Sequence, residues 1–315
     1  MRTVVLALLP CVIAAAVFFG MRAVVVVGVC VASAVGSEWV FLRLRRRPAP
    51  ISDFSAVITG MLVALTLPPS IPLWTAAMGS AIAIMLGKQI FGGLGYNVFN
   101  PALVGRAFLA AAFPVYMTTW SAPALRLRWM ADAITGATPL AAVKWPAEGA
   151  AVADVVTGAL RLDLILGRCG GCLGETSVIA ILLGCLLLLA TRCMDWRIPA
   201  GYLGTVTVLT GALWVADPSR YADPLFHLTA GGLLFGAVFM ATDMVTSPVS
   251  GRAVWTYSCG MGLLLVVIRT WGGLPEGVMY SILLMNATVP LLDRYMRPRW
   301  LGEPSRSARK EAVRA

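Results

Sequence analysis

A succession of apolar segments, each close to the length needed to cross a lipid bilayer, dominates this chain. A transmembrane helix needs roughly 17 to 25 apolar residues to cross about 30 Å of hydrocarbon. Of the 315 residues, 59% are hydrophobic and 13% are charged, which leaves too little polar surface to cover a water-soluble globule. The sequence therefore predicts an all-α polytopic membrane protein with about ten transmembrane helices. The predicted segments are 4–19, 23–42, 54–67, 73–86, 101–117, 177–190, 200–215, 225–241, 253–268 and 276–292.

Several of these segments are short, or are interrupted by glycine and proline. Inside a bilayer, backbone polar groups freed by such interruptions are tolerated only where neighbouring protein or a water-filled cavity satisfies them. The interruptions therefore predict a bundle with broken or short helices and a binding site within it.

Much of the net charge of +10 lies in two basic clusters, at 43–47 and in the tail 294–315. Basic clusters that flank apolar segments follow the positive-inside rule and attract acidic lipid headgroups, so they do not indicate nucleic-acid binding. The basic residues of the short loops place both termini in the cytoplasm. The chain then divides into helices 1–5 (1–117), an extracytoplasmic loop (118–175), helices 6–10 (176–293) and a basic cytoplasmic tail (294–315).

The loop at 118–175 contains a turn-forming segment, DAITGATPL, at 132–140. Gly136 permits a tight turn and a close backbone approach, while Pro139 fixes the chain just after the hydroxyl of Thr138. On spacing alone the segment is compatible with a polar turn between two membrane-facing segments. It also offers room beside the Thr138 hydroxyl for a bulky group.

The stretch DAITGAT resembles the motif Asp-x-x-Ser/Thr-Gly-Ala-Thr, at which a flavin transferase joins FMN through its phosphate to the last threonine. Other stretches, in the same order, resemble the RnfD membrane protein of the Rnf electron-transport complex and the related NqrB protein of the sodium-pumping NADH:quinone reductase. The matching stretches are 52–55, 59–60, 67–69, 92–95, 97–101, 171–177, 240–243, 246–248, 272–277 and 284–286. The resemblance extends over nearly the whole chain and suits the Rnf type better, since the reductase protein usually carries an N-terminal extension.

The resemblance implies that Thr138 carries FMN as a phosphoester, and that the transferase recognises Asp132, Thr135, Gly136 and Ala137. It implies electron transfer between ferredoxin and NAD coupled to sodium or proton movement, with no catalysis by this chain alone. The implied partners are Rnf subunits A, B, C, E and G, the flavin transferase and membrane lipids. FMN is the implied cofactor, and riboflavin is a candidate second flavin. The family fold resembles that of urea transporters.

Six ionisable residues within or beside the predicted segments are candidates for function, because an ionisable group in a membrane is costly and is usually functional or paired. They are Asp53, Lys88, Arg106, Glu175, Asp243 and Glu276. Of these, we expect Glu175 and Asp243 in an ion pathway or a flavin pocket. Most of the six lie at predicted helix ends, so snorkelling or pairing there is the alternative interpretation.

Cys169 and Cys172 form a single Cys-x-x-Cys pair in the long loop. A zinc or iron–sulfur site normally needs more ligands than this segment offers, so we expect two ordinary thiols or a local disulfide and no metal.

Two other functions would explain the apolar segments. A channel or secondary transporter for a small solute also suits the broken helices, whereas a structural scaffold leaves the segment 132–140 unexplained.

Overall fold

All regular elements of the described residues are helical, which confirms the prediction of an all-α chain. The computed structural model describes residues 1–46, 53–120, 138–145, 152 and 156–296. The α-helices are α1 (Arg2–Phe19), α2 (Met21–Leu44), α3 (Ser55–Leu65), α4 (Leu73–Ile84), α5 (Pro101–Ala112), α6 (Pro114–Thr118), α7 (Pro139–Lys144), α8 (Gly158–Leu166), α9 (Val178–Ala190), α10 (Arg197–Ala216), α11 (Pro224–Thr229), α12 (Leu233–Phe235), α13 (Gly251–Trp271) and α14 (Val278–Tyr295). Two π-helical segments, Met85–Gln89 and Gly236–Met240, continue α4 and α12.

Four helices, α1, α2, α10 and α13, are long and apolar enough to cross a membrane. Three other apolar helices, α3, α5 and α9, have 11, 12 and 13 residues. Helices of this length reach roughly 16 to 20 Å, which is less than the hydrocarbon thickness of about 30 Å. The predicted segment 225–241 is divided between α11 and α12. The chain is therefore a helical membrane protein in which short and interrupted helices accompany full-length ones.

Glycine residues let several helices approach through their backbones. A Cβ atom placed on Gly60 of α3 would lie 2.7 Å from the Cα atom of Val31 in α2. A Cβ atom on Gly262 of α13 would lie 2.6 Å from Cβ of Thr205 in α10. Small residues of this kind allow the close van der Waals contact that holds helices together in lipid. They fix α3 against α2, and α13 against α10.

The first π-helical segment carries a buried ion pair with α2. Lys88 Nζ donates to Glu38 Oε1 at 2.6 Å and to Ser55 Oγ at 2.5 Å. Gln89 Nε2 donates to the same Glu38 oxygen at 2.7 Å. Lys88 is only 2% exposed, so its two hydrogen bonds offset the desolvation of its charge, and the bond from Gln89 helps to stabilise the Glu38 carboxylate. Lys88 is thus paired inside the bundle and does not snorkel to the membrane surface.

Candidate functional site

Thr138 begins helix α7 and lines a cavity of about 220 Å³. Its side-chain oxygen accepts a hydrogen bond from the Ala141 amide at 3.2 Å, and Pro139 occupies the first helical position. A threonine followed by proline is a favourable way to start a helix, because the hydroxyl caps a free amide and the proline has no N–H to satisfy. Thr138 is half-buried, and the hydrogen bond from Ala141 fixes the position of its hydroxyl at the cavity wall.

The other residues of the predicted attachment segment, Asp132, Thr135, Gly136 and Ala137, lie outside the described residues. Their recognition by a flavin transferase therefore stays a prediction.

The cavity wall is mostly apolar and combines parts of the chain that are far apart in sequence. Its apolar and aromatic side chains are Ala110, Pro114, Met117, Trp120, Pro139, Leu140, Leu164, Leu274, Pro275, Met279 and Tyr280. Charged side chains also line it: Arg106 from α5, Glu175 from the connection before α9, and Glu276 from the connection before α14. A few charged groups in an apolar pocket are typical of a small-molecule or cofactor site.

The three charged residues form one cluster in which the arginine lies between the two carboxylates. Arg106 Nη2 contacts Glu276 Oε2 at 2.6 Å, and Arg106 Nη1 contacts Glu175 Oε1 at 3.3 Å. The Sγ atom of Cys172 lies 3.5 Å from Arg106 Nη2. Arg106 and Glu175 are 7% and 8% exposed, so the cluster is held together by short contacts that offset a large desolvation cost.

Two interruptions of regular structure allow the cluster to form. The extended stretch before Glu175 is fixed to α3 and the residues after it, because Gly174 N donates to Leu65 O at 2.7 Å and Leu173 N donates to Leu67 O at 3.0 Å. Gly232, in the break between α11 and α12, leaves the space that the carboxylates fill. A Cβ atom there would collide with Glu175 Oε1 and lie 2.7 Å from Glu276 Oε1.

Two polar atoms beside the cavity have no hydrogen-bond partner among the described residues. They are Glu276 Oε1 and the Thr176 hydroxyl, and both residues line the cavity. A buried polar atom without a partner costs roughly 1 to 3 kcal/mol. These atoms are therefore suited to bind a polar group of a ligand inside the cavity.

Asp243, the second carboxylate that the sequence singles out, does not line this cavity. Its Oδ1 atom accepts the Val245 amide at 3.2 Å, and the Thr246 amide donates to the Asp243 carbonyl at 3.2 Å. Asp243 thus stabilises a turn after the second π-helical segment. Its role in an ion pathway stays a prediction.

Cys169 and Cys172 are free thiols with different surroundings. Cys169 lines the cavity and is half-buried, and burial together with the Asp163 carboxylate raises the pKa of its thiol to about 11. The Cys169 thiol is therefore protonated at neutral pH and is a weak nucleophile. Cys172 is fully buried against Arg106.

Sequence reasoning pointed to Thr138 and Glu175 but did not place them at one cavity. It named Arg106 and Glu276 among six candidates for function without pairing them, whereas in the structure Arg106 contacts both Glu175 and Glu276. The roles of Thr176 at the cavity and of Gly232 beside the charged cluster were not predicted. The stretch 174–177, GETS, offered a signal, because an ionisable residue beside a membrane segment is usually functional or paired.

The short helices, the buried ion pairs and the cavity define an integral membrane protein with a polar site inside its helical bundle. The chain belongs to the NQR2, RnfD, RnfE family, whose model matches residues 1–302.

Curated relatives match the chain over almost its full length. It is 44% identical to the D subunit of the ion-translocating oxidoreductase complex of Stutzerimonas stutzeri, over 97% of this chain and 92% of the relative. It is 42% identical to the D subunit of the Na(+)-translocating ferredoxin:NAD(+) oxidoreductase complex of Acetobacterium woodii, over 96% and 90%. The proton-translocating counterpart from Clostridium ljungdahlii is 43% identical, over 95% and 89%.

Replacing Gly232 by alanine is expected to separate the two carboxylates from Arg106, because the new methyl group needs the space that Glu175 Oε1 occupies. We expect a loss of about 2 kcal/mol of stability, which is typical of overpacking a tightly packed site. Thermal unfolding of the purified protein in detergent measures this loss.

The control is Gly204→Ala in α10, since a Cβ atom on Gly204 meets nothing within 4 Å. This variant should unfold at the wild-type temperature or slightly above it, because alanine favours the helix more than glycine does. Equal unfolding temperatures for Gly232→Ala and the wild type would contradict the packing described for the cluster.

Proposed function

We propose that this chain is the RnfD-type membrane protein of an ion-translocating ferredoxin:NAD⁺ oxidoreductase, and that it carries FMN joined through phosphate to Thr138. The family and the names of the relatives support the assignment to the complex. One structural observation supports the cofactor: the Thr138 hydroxyl lines the same cavity as the buried cluster of Arg106, Glu175 and Glu276.

The residues of the cavity fit a flavin tethered at Thr138. Apolar and aromatic walls, including Trp120 and Tyr280, suit a flat ring, while the unpartnered atoms of Glu276 and Thr176 suit its polar edge. When bound, FMN supplies the ability to accept and donate one or two electrons. The chain supplies the position of the cofactor and the electric field around it.

Within this proposal, the charged cluster sets that field. Arg106 is fixed from both sides by carboxylates, so its positive charge keeps one position beside the cavity. Glu276 keeps one oxygen free to accept a hydrogen bond. Because the surroundings are largely apolar, each of these charges acts more strongly than it would in water.

The proposal includes ten membrane crossings in a urea-transporter-like bundle. Both termini lie in the cytoplasm, and Thr138 faces the opposite side of the bacterial inner membrane. Support comes from the basic residues Arg43, Arg45 and Arg46, which are exposed at the end of α2 or just after it, as the positive-inside rule expects of a cytoplasmic end.

The partners proposed are Rnf subunits A, B, C, E and G, and a flavin transferase that recognises the segment ending at Thr138. Sodium or protons are the ions coupled to electron flow, and Glu175 and Asp243 are the carboxylates proposed for their path or for the flavin pocket. Riboflavin stays the candidate for a second, noncovalent flavin.

Thr138→Ala is expected to abolish covalent flavin, because alanine has no oxygen to form the phosphoester. Denatured wild-type protein from cells that contain the transferase should fluoresce as a flavin band in a gel, and the variant band should be dark. Mass spectrometry of the peptide that contains Thr138 should show the added mass of FMN in the wild type only.

Thr118→Ala and Thr229→Ala are matched controls, because both remove a hydroxyl from the same cavity. Both variants should keep the fluorescence. A fluorescent Thr138→Ala band would refute the attachment site. A dark wild-type band would refute the covalent cofactor and favour a solute pore, which uptake into flavin-free liposomes would then reveal.

Glu276→Gln is expected to raise the midpoint potential of the bound flavin, because it removes a negative charge that opposes the addition of electrons. A change of about 1.4 kcal/mol in that interaction corresponds to a rise of about 30 mV for a two-electron couple. Spectroelectrochemical titration of the purified flavoprotein measures the potential.

Asp217→Asn provides the control for this titration, since Asp217 follows α10 and does not line the cavity. Its flavin potential should match that of the wild type. A Glu276→Gln potential that is unchanged or lower would place the flavin away from the cluster, even if Thr138 carries it.

A further inference from the structure

A second cavity, of about 420 Å³, lies beside the same short helix, α7. Leu140 lines both cavities, whereas Thr138 and Pro139 line only the first and Val143 and Lys144 line only the second. The other described residues of its wall are Val152, Ser219, Arg220, Tyr221, Ala222, His227, Arg269, Thr270, Trp271 and Pro275. Helix α7 therefore has a differently built pocket on each side.

The second cavity is basic. Lys144, Arg220 and Arg269 line it, and its described lining residues include no aspartate or glutamate. None of the three makes an ion pair of 4 Å or less with a described residue, since the four ion pairs found there involve other cations. Three positive charges around a cavity of this size attract an anion.

Two of these cations are held in place by hydrogen bonds to backbone carbonyls, which carry no formal negative charge. Lys144 Nζ donates to Leu274 O at 2.7 Å and to Ile268 O at 3.1 Å. Partial burial lowers the pKa of the Lys144 ammonium, so an anion beside it would be stabilising. Arg269 Nη1 donates to His227 O at 2.7 Å, which fixes the guanidinium.

Buried polar atoms of the same wall still lack partners. Arg269 is 5% exposed and His227 is 8% exposed, yet Arg269 Nε and His227 Nδ1 have no hydrogen-bond partner among the described residues. Such atoms usually have a partner in a native protein, because leaving them without one is costly. An oxyanion could accept from Arg269 Nε, and from the imidazole in the tautomer that carries its proton on Nδ1.

Aromatic residues indicate where the cavity lies relative to the bilayer. Trp271 ends α13, lines the cavity and is 63% exposed. Trp145, which follows Lys144, is 56% exposed. Exposed tryptophans at helix ends gather at the level of the lipid headgroups, where phosphate groups are concentrated.

We propose that this cavity is a binding site for the phosphate group of an anionic ligand, with Lys144, Arg220 and Arg269 as its cations. Arginine suits phosphate because its planar fork of N–H groups matches the phosphate oxygens. The same chemistry is available from an anionic phospholipid headgroup and from soluble phosphate. The site is separate from the proposed FMN attachment, because Thr138 does not line this cavity.

The first experiment measures lipid retained by the purified full-length protein. Native mass spectrometry from nanodiscs of mixed phosphatidylglycerol and phosphatidylcholine should show preferential retention of phosphatidylglycerol by the wild type. Arg220→Gln removes an exposed cation of the wall and should reduce that preference about five-fold, the loss typical of removing one of several basic residues that contact an anionic headgroup. Lys144→Gln combined with Arg220→Gln should reduce it further.

Arg168→Gln is the matched control, because Arg168 is an exposed arginine of the same region that does not line the cavity. The preference of this variant for phosphatidylglycerol should equal that of the wild type. Wild-type protein from cells that lack the flavin transferase should also keep this preference, which separates the site from the outcome of the flavin proposal.

The second experiment tests soluble phosphate. In nanodiscs of phosphatidylcholine alone, inorganic phosphate should raise the unfolding temperature of the wild type, but not of the double variant, if the site accepts the free anion. Retention of phosphatidylglycerol without a response to inorganic phosphate assigns the site to a lipid headgroup, and the reverse assigns it to a soluble phosphate. The proposal would be overturned if the wild type and the double variant retained phosphatidylglycerol equally and also responded equally to inorganic phosphate in unfolding temperature.

Discussion

The cost of holding ionised side chains inside an apolar bundle governs the arrangement of this chain. Arg106 can lie there only because Glu175 and Glu276 contact it from two sides. A guanidinium or carboxylate left alone in such surroundings would cost several kcal/mol. The three elements that carry these residues are therefore fixed to one another, although Arg106 and Glu276 are 170 positions apart in the sequence.

The interruptions of the helices follow from the same requirement. A Cβ atom at position 232 would enter the space of the two carboxylates, so the break between α11 and α12 carries glycine there. At the first π-helical segment, Lys88 and Gln89 likewise turn inward to Glu38. π-Helical segments often occur at functional sites because they redirect side chains that a regular helix would place elsewhere. In this protein, irregular backbone lies beside the Lys88–Glu38 pair and beside the cluster of Arg106, Glu175 and Glu276.

The sequence predicts the helical class well because apolar segments of membrane-spanning length are compatible with few other fold classes. It also predicts Thr138 as a residue with room beside it, since the local turn chemistry depends only on its neighbours. The meeting of Arg106 with Glu276 could not be predicted, because no local pattern encodes which helix ends converge. The second cavity was missed for a related reason: Arg269 resembles a charge at a helix end until its burial is known.

Helix α7 separates two sites of opposite electrical character. On one side, two carboxylates outnumber one arginine; on the other, three cations face one another with no carboxylate among the described lining residues. Leu140 and Pro275 contribute to both walls and supply an apolar partition between the two cavities. An anion in the basic cavity would hold Lys144, and through it the end of α7, in place. Since Thr138 begins the same six-residue helix, occupancy of the second cavity would also help to fix the position of the hydroxyl at the first.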